Sequence, residues 1–217
     1  MKYRRILLDI ETQADFFLPG GSCYADEAAA AARNIYRLFD WARASGIAVI
    51  STVLRVRKRD VGPLAGVPHC VEGTEGEQKL PGTILPRHVD LGLQNTTDLP
   101  RRLLREYQQV IFEKRVPDSF AHPRLERLIT ELPPTTFVIC GAGVARSIAC
   151  SAIGLRSRQF GVILASDAVL DLGDELAKMA CLRMQAKGVI FAPTREIVAP
   201  RPRRLVKRFR TAAAAGA

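Results

Sequence analysis

The chain has 217 residues, 47% of them hydrophobic and 25% charged, enough apolar material for one sizeable core. No apolar run approaches the ~20 residues a membrane span needs. The five cysteines (Cys23, Cys70, Cys140, Cys150 and Cys181) form no CxxC or Cys/His ladder, which argues against a disulfide framework or structural zinc and for a reducing, cytoplasmic setting.

The net charge of +10 is concentrated. The segment RPRRLVKRFR (201–210) holds six of the 32 basic residues and no acid, and the remaining 26 face 22 acidic residues. Such a segment can hold nucleic acid or an anionic surface. The body lacks the aromatic-basic interleaving of single-strand binders, and the plainer reading is a solvated tail. Residues 1–200 are expected to form one domain and 201–217 a basic, Ala-rich tail.

In chain order, RILLDI (5–10) reads as a buried strand, with Asp9 and Glu11 arguing against a signal peptide. Ile35, Leu38, Phe39 and Ala42 repeat at helical spacing, and Gly46 stops that helix. IAVISTVL (47–54) is the second strand. Residues 57–106, rich in Gly, Pro and charge, read as long loops with short elements. QVIFEK (109–114) is the third strand. Leu125, Leu128, Ile129 and Leu132 mark a helix closed by the prolines at 133–134. TFVIC (136–140), a helix with Ile148, Ala152 and Leu155 on one face, GVILAS (161–166), a helix over 176–184 and GVIFA (188–192) complete the series. The strands are continuous apolar runs, which suits burial on both faces. The alternation predicts a Rossmann-like three-layer α/β/α sandwich around a mostly parallel six-stranded sheet.

Ligands in such sheets bind beyond the carboxyl ends of the strands. Three reactive groups belong there: Glu11 after the first strand, Lys114 at the end of the third, and Ser147 in the loop CGAGVARSIACSA (140–152) after the fourth. A carboxylate to take a proton, an ammonium to steady charge and a hydroxyl to attack make a workable acyl-transfer site. Loop N–H groups could form an oxyanion hole. Each residue also has a plain structural reading: Glu11 as a solvated strand end, Lys114 paired with Glu113 or Asp118, Ser147 as a helix cap. Their convergence at one sheet edge favours the functional one.

Over residues 4–197 the chain resembles the isochorismatase-like hydrolases, the superfamily that includes nicotinamidases and other cysteine amidases. ETQADFF resembles the family's Asp-x-Gln-x-Asp-Phe, with Glu11 at the catalytic Asp. IFEKRVPDSF resembles the strand that ends in the catalytic Lys, here Lys114, with Phe120 following. VICGAGVARSIACSAIGL resembles the nucleophile loop, ASDAV the Asp-Ala segment, and HCVEGTEGEQKLPGTI the nicotinamidase-type His-Cys-x-x-Gly-Thr-x-Gly region. The family nucleophile stands six residues after the first loop Gly and about twenty before the Asp of Asp-Ala. Ser147 keeps both spacings from Gly141 and Asp167, and Cys150 misses both by three. The resemblance therefore implies a Glu11–Lys114–Ser147 triad and oxyanion donors at Gly143 and Ser147. It implies a cis peptide at Ala142–Gly143, and substrate contacts at Phe16, Phe120, Arg55 and Ala142. It also implies a small-molecule substrate and a homo-oligomer.

Two departures stand out. Glu for Asp adds a methylene, and Ser for Cys removes an easily ionised nucleophile. The family's metal-binding Asp-x-His falls on Leu54 and Val56, leaving only His69, so no metal and no cofactor are expected. The expected function is hydrolysis of a small molecule at an amide C–N bond or a vinyl ether. The alternative is a non-catalytic relative that binds a small ligand or a protein at the same site.

Overall fold

The computed structural model describes residues 5–61, 65–172 and 176–199, so the basic segment 201–210 lies outside the described residues. Seven strands form one sheet: β1 (Arg5–Ile10), β2 (Ala48–Leu54), β3 (His88–Asp90), β4 (Gln109–Lys114), β5 (Thr136–Ala142), β6 (Gly161–Leu170) and β7 (Ile190–Ala192). Their order is β3-β4-β2-β1-β5-β6-β7, and every pairing is parallel. The sheet thus has one strand more than expected. β3 is three residues, His-Val-Asp, with both ends exposed, too short and polar to register as an apolar run.

The strands alternate their side chains between two cores. Leu7, Val49, Val138 and Ile163 face one layer, where Ile35, Leu38 and Phe39 of α2 (Ala28–Ser45) pack beside Ile197 of α7 (Thr194–Ile197). Ile6, Leu8, Ile50, Phe137 and Val162 face the other, built from α4 (Pro123–Thr130), α5 (Ala149–Ser157) and α6 (Ala177–Ala186). Burial on both faces is why the strands read as unbroken apolar runs. Two short helices, α1 (Ala14–Phe17) and α3 (Leu103–Glu106), complete the set. Gly46 caps α2 in the left-handed conformation (φ 61°), its N–H donating to Ala42 and Arg43 carbonyls.

From central β1 the chain adds β2, goes out to β3 at the edge and inserts β4 between them, and later builds through β5, β6 and β7 on the other side. The reversal lies between β1 and β5, where an open parallel sheet offers a crevice at its carboxyl edge. No helix among the described residues is long and apolar enough to cross a membrane.

Candidate active site

The crevice begins with a backbone contortion. β1 ends at Ile10, and Glu11 turns out of the strand at φ 52°, a left-handed conformation costing a non-glycine residue roughly 1–2 kcal/mol. Its N–H still donates to Thr52 O at 2.8 Å, so the sheet holds the turn in place. The neighbouring strand makes room with Gly141, the register partner of Ile10, where any Cβ would overlap the Ile10 carbonyl oxygen. Strain held by the sheet at such a point suits a working site.

The residues after Glu11 fasten the surroundings. Gln13 grips the end of β2 twice: its Oε1 accepts from Leu54 N at 2.7 Å and its Nε2 donates to Leu54 O at 2.9 Å. The same Nε2 donates to Glu77 O at 2.9 Å. Asp15 accepts from Cys70 N at 2.6 Å and Ser22 N at 3.0 Å, tying two loops to α1. Asp9 and Lys79 form an ion pair buried behind the site, extended by Ser51 Oγ at 2.7 Å from Asp9 and by Thr12 Oγ1 at 2.7 Å from Lys79. Each of these polar residues holds the 65–87 loop to the sheet edge. They interrupt apolar strand and helix starts, the one signal by which the sequence could have marked them as anchors.

Glu11, Lys114 and Ser147 meet in this frame, each 3–4% exposed. Ser147 Oγ donates to Glu11 Oε1 at 2.6 Å, and Lys114 Nζ is paired with the same oxygen. Lys114 Nζ lies 3.4 Å from Ser147 Oγ and donates to the Val116 and Pro117 carbonyls, each at 3.0 Å. Lys114 pairs with neither Glu113, which holds Arg55 at 2.7 Å, nor Asp118, which caps a short turn by accepting from Phe120 N.

Ser147 was expected at a helix start. It sits instead in a π-helical turn, Val144–Ile148, leading into α5. Such turns widen the backbone and recur at functional sites. Cys150 is one turn on and exposed. Two expectations about this loop are corrected. No peptide bond among the described residues is cis, and Gly143 makes the turn through φ 81°. The Gly143 N–H donates to Leu170 O at 3.0 Å as part of the β5–β6 pairing, so in this arrangement it is not turned to the site.

A cavity of about 400 Å³ opens on the triad, lined by Glu11, Ser147, Gly143, His69, Leu54, Cys23, Val67, Arg146, Asp171 and Leu172 among others. None of the four expected substrate contacts is in its wall. Phe16 is fully buried and stacks on His69 with ring centroids 5.0 Å apart. Phe120 packs against Gly154 and carries Arg158 4.0 Å above its ring. Arg55 is held by Glu113 and Glu77, both at 2.7 Å. Ala142 is buried as the last residue of β5. Asp167 serves α7, accepting from Thr194 N and Oγ1, both at 2.7 Å. Sequence reasoning did not place Cys23, Val67, Asp171 or Leu172 in the wall, because they arrive from loops distant in sequence, nor did it single out Arg146, the neighbour of Ser147.

The residues near His69 do not suit a metal ion. Leu54 and Val56 offer no donor, and no group of three His, Cys, Asp or Glu side chains that could hold one is found among the described residues. His69 Nδ1 is itself buried without a hydrogen-bond partner.

The isochorismatase domain family matches residues 5–196. No curated protein matches significantly. Among solved structures, the chain is similar to nicotinamidase from Bacillus subtilis, at 19% identity and TM-score 0.66 over 87% of this chain and 99% of that one. It is similar to N-carbamoylsarcosine amidase from Thermoplasma acidophilum, at 15% identity and TM-score 0.64 over 88% and 96%. It is also similar to a pyrazinamidase of Pyrococcus horikoshii solved with zinc, at 19% identity and TM-score 0.64 over 88% and 99%.

Proposed function

The chain belongs to the isochorismatase family, and we propose that it hydrolyses a small amide through an ester intermediate on Ser147. The observation that carries this reading is the 2.6 Å hydrogen bond from Ser147 Oγ to Glu11 Oε1, with Lys114 bound to the same carboxylate oxygen. A nucleophile, a base within its reach and a third group that orients the base form the arrangement nucleophilic catalysis requires. A carboxylate already accepting a hydroxyl proton beside an ammonium is set to act as a base. That favours the amide over a vinyl ether, which would need this carboxyl group to donate a proton first.

In the proposed reaction Ser147 Oγ attacks the carbonyl carbon and its proton passes to Glu11. The C–N bond breaks, the amine leaves with that proton, and the acyl group remains on Ser147. Water then attacks the ester, Glu11 takes its proton and returns it to Ser147 Oγ, and the acid departs. Lys114 and the Ser147 N–H at the head of the turn stabilise the oxyanion. Residues 1–200 carry the activity and 201–217 do not, and the enzyme is a homo-oligomer, a point light scattering tests.

The test is a panel of primary amides, N-carbamoyl compounds and vinyl ethers, read by ammonia or carbonyl release and by mass spectrometry of the Ser147 peptide. Turnover with a trapped acyl group on Ser147 is the expected result. A chain that shows thermal shifts with panel members and turns over none is a binding protein, and the hydrolase reading falls.

A further inference from the structure

His69 has no part in the chemistry above, yet it is built into the same cavity wall as Glu11 and Ser147. Its setting is rigid. Phe16 stacks on one side of the ring at 5.0 Å. The next residue, Cys70, is fully buried at φ 55°, with its N–H held by Asp15 at 2.6 Å. Among the described residues nothing is seen to use the ring's polar atoms: Nδ1 is buried and lacks a partner.

Burial pushes the imidazole below the ordinary histidine value. The Glu11 and Asp15 charges oppose that shift and Arg146 reinforces it. A neutral imidazole carries one N–H and one bare nitrogen. A buried N–H without an acceptor is the costlier of the two orphans, so the bare nitrogen belongs at Nδ1 and the proton at Nε2. With Nδ1 buried, Nε2 is the nitrogen left to serve the cavity that His69 lines, where Leu54, Val67 and Leu172 stand beside the charged Glu11, Arg146 and Asp171.

We propose that His69 is a specificity residue, whose Nε2–H hydrogen-bonds an acceptor atom on an uncharged, compact acyl group of the substrate. This deepens the amidase reading and rests on it for the word substrate. The side chain's role is recognition: Leu54 and Val56 offer a metal no donor, and burial disfavours the cation. A single such hydrogen bond contributes roughly 1 kcal/mol, about fivefold in affinity.

Two measurements test it. The chain has three histidines, so nitrogen NMR of the ¹⁵N-histidine-labelled protein resolves each ring. His88 Nδ1 lies 2.7 Å from Leu85 O and His122 Nε2 2.9 Å from Gly92 O, which makes them Nδ1–H and Nε2–H references. His69 is expected as the neutral Nε2–H form at pH 7, and an Nδ1–H or doubly protonated ring overturns the proposal. The second measurement compares benzamide with the three pyridinecarboxamide isomers, equal in shape but with a ring nitrogen at each position. Binding is followed on the Ser147→Ala protein. At least one isomer should bind about fivefold more tightly than benzamide. His69→Phe, which keeps a ring against Phe16, should erase that preference, and His69→Gln should retain part of it. Equal binding of all four probes, binding of none, or a preference that survives in His69→Phe overturns the proposal. Failure of the hydrolase reading looks different: the His69-dependent preference persists while the wild-type chain hydrolyses none of the four.

Discussion

At the scale of single residues, the side chains at positions 11 and 147 fit each other in length. A serine hydroxyl has a shorter reach than a thiol, and the extra methylene of Glu11 brings the carboxylate to it at 2.6 Å. Glu11→Asp should therefore lower kcat by about 100-fold, because a carboxylate withdrawn by a methylene loses the aligned contact. Ser147→Ala should abolish turnover outright. A Ser147→Cys variant places a thiol beside the Lys114 ammonium, which favours thiolate, whereas partial desolvation raises the thiol of Cys150 above its usual range although the residue is exposed overall. Iodoacetamide should label position 147 before position 150, read by peptide mass; labelling in the reverse order would mean that Ser147 does not face the cavity. His69 gives a stability signature as well. Its folded-state value is depressed, so its contribution is fully present above the unfolded value of about 6.5. It is lost as pH falls below that, because the unfolded chain takes up a proton that the folded chain resists. Urea midpoints of the wild type should fall relative to His69→Phe between about pH 7.5 and about pH 5.5. Glu11, Asp15 and Arg146 are the charged groups acting on this ring and are the same in both proteins.

At the scale of elements, the site depends on close passages of backbone and on a pinned loop. Gly141→Ala would drive a methyl into the Ile10 carbonyl at φ 127°, and a loss of about 3 kcal/mol or more is expected from denaturant unfolding. The buried Asp9–Lys79 pair is a separate case. Lys79→Met leaves a carboxylate uncompensated and should cost about 3–5 kcal/mol, whereas Asp9→Asn combined with Lys79→Met should recover much of it. A double variant no more stable than the single one would show that the pair does not act through its charges. This loop was the least legible stretch of the sequence. Its attachments are single polar contacts to Gln13, Asp15 and Asp9, made across 55 to 70 residues of chain, and no periodicity reports such contacts. The strands and long helices were legible because burial on one or two faces writes itself into spacing.

At the scale of the whole molecule, the parallel sheet alone brings the three reactive groups together, since they leave three different strands and meet only at the reversal between β1 and β5. On the proposed domain bounds the basic tail takes no part in that assembly. Truncation after residue 200 should leave the melting temperature within about 2 °C and catalysis unchanged, while retention on a heparin column falls. A large drop in melting temperature would place part of the tail in the fold.

The sequence by itself determined six of the seven strands, the long helices and the position of Glu11, Lys114 and Ser147 at or just beyond strand ends, because strand ends and hydrophobic period are local. It did not determine the cavity wall. Phe16, Phe120 and Arg55 carry the residue types of a binding site, yet they are spent on His69, on α5 and on Glu113 with Glu77. Whether a side chain faces a ligand or a neighbour depends on which loops fold over it, and whether a loop N–H faces the site or a strand, as at Gly143, depends on a peptide orientation. Both are properties of packing across the whole chain, which only the tertiary structure decides.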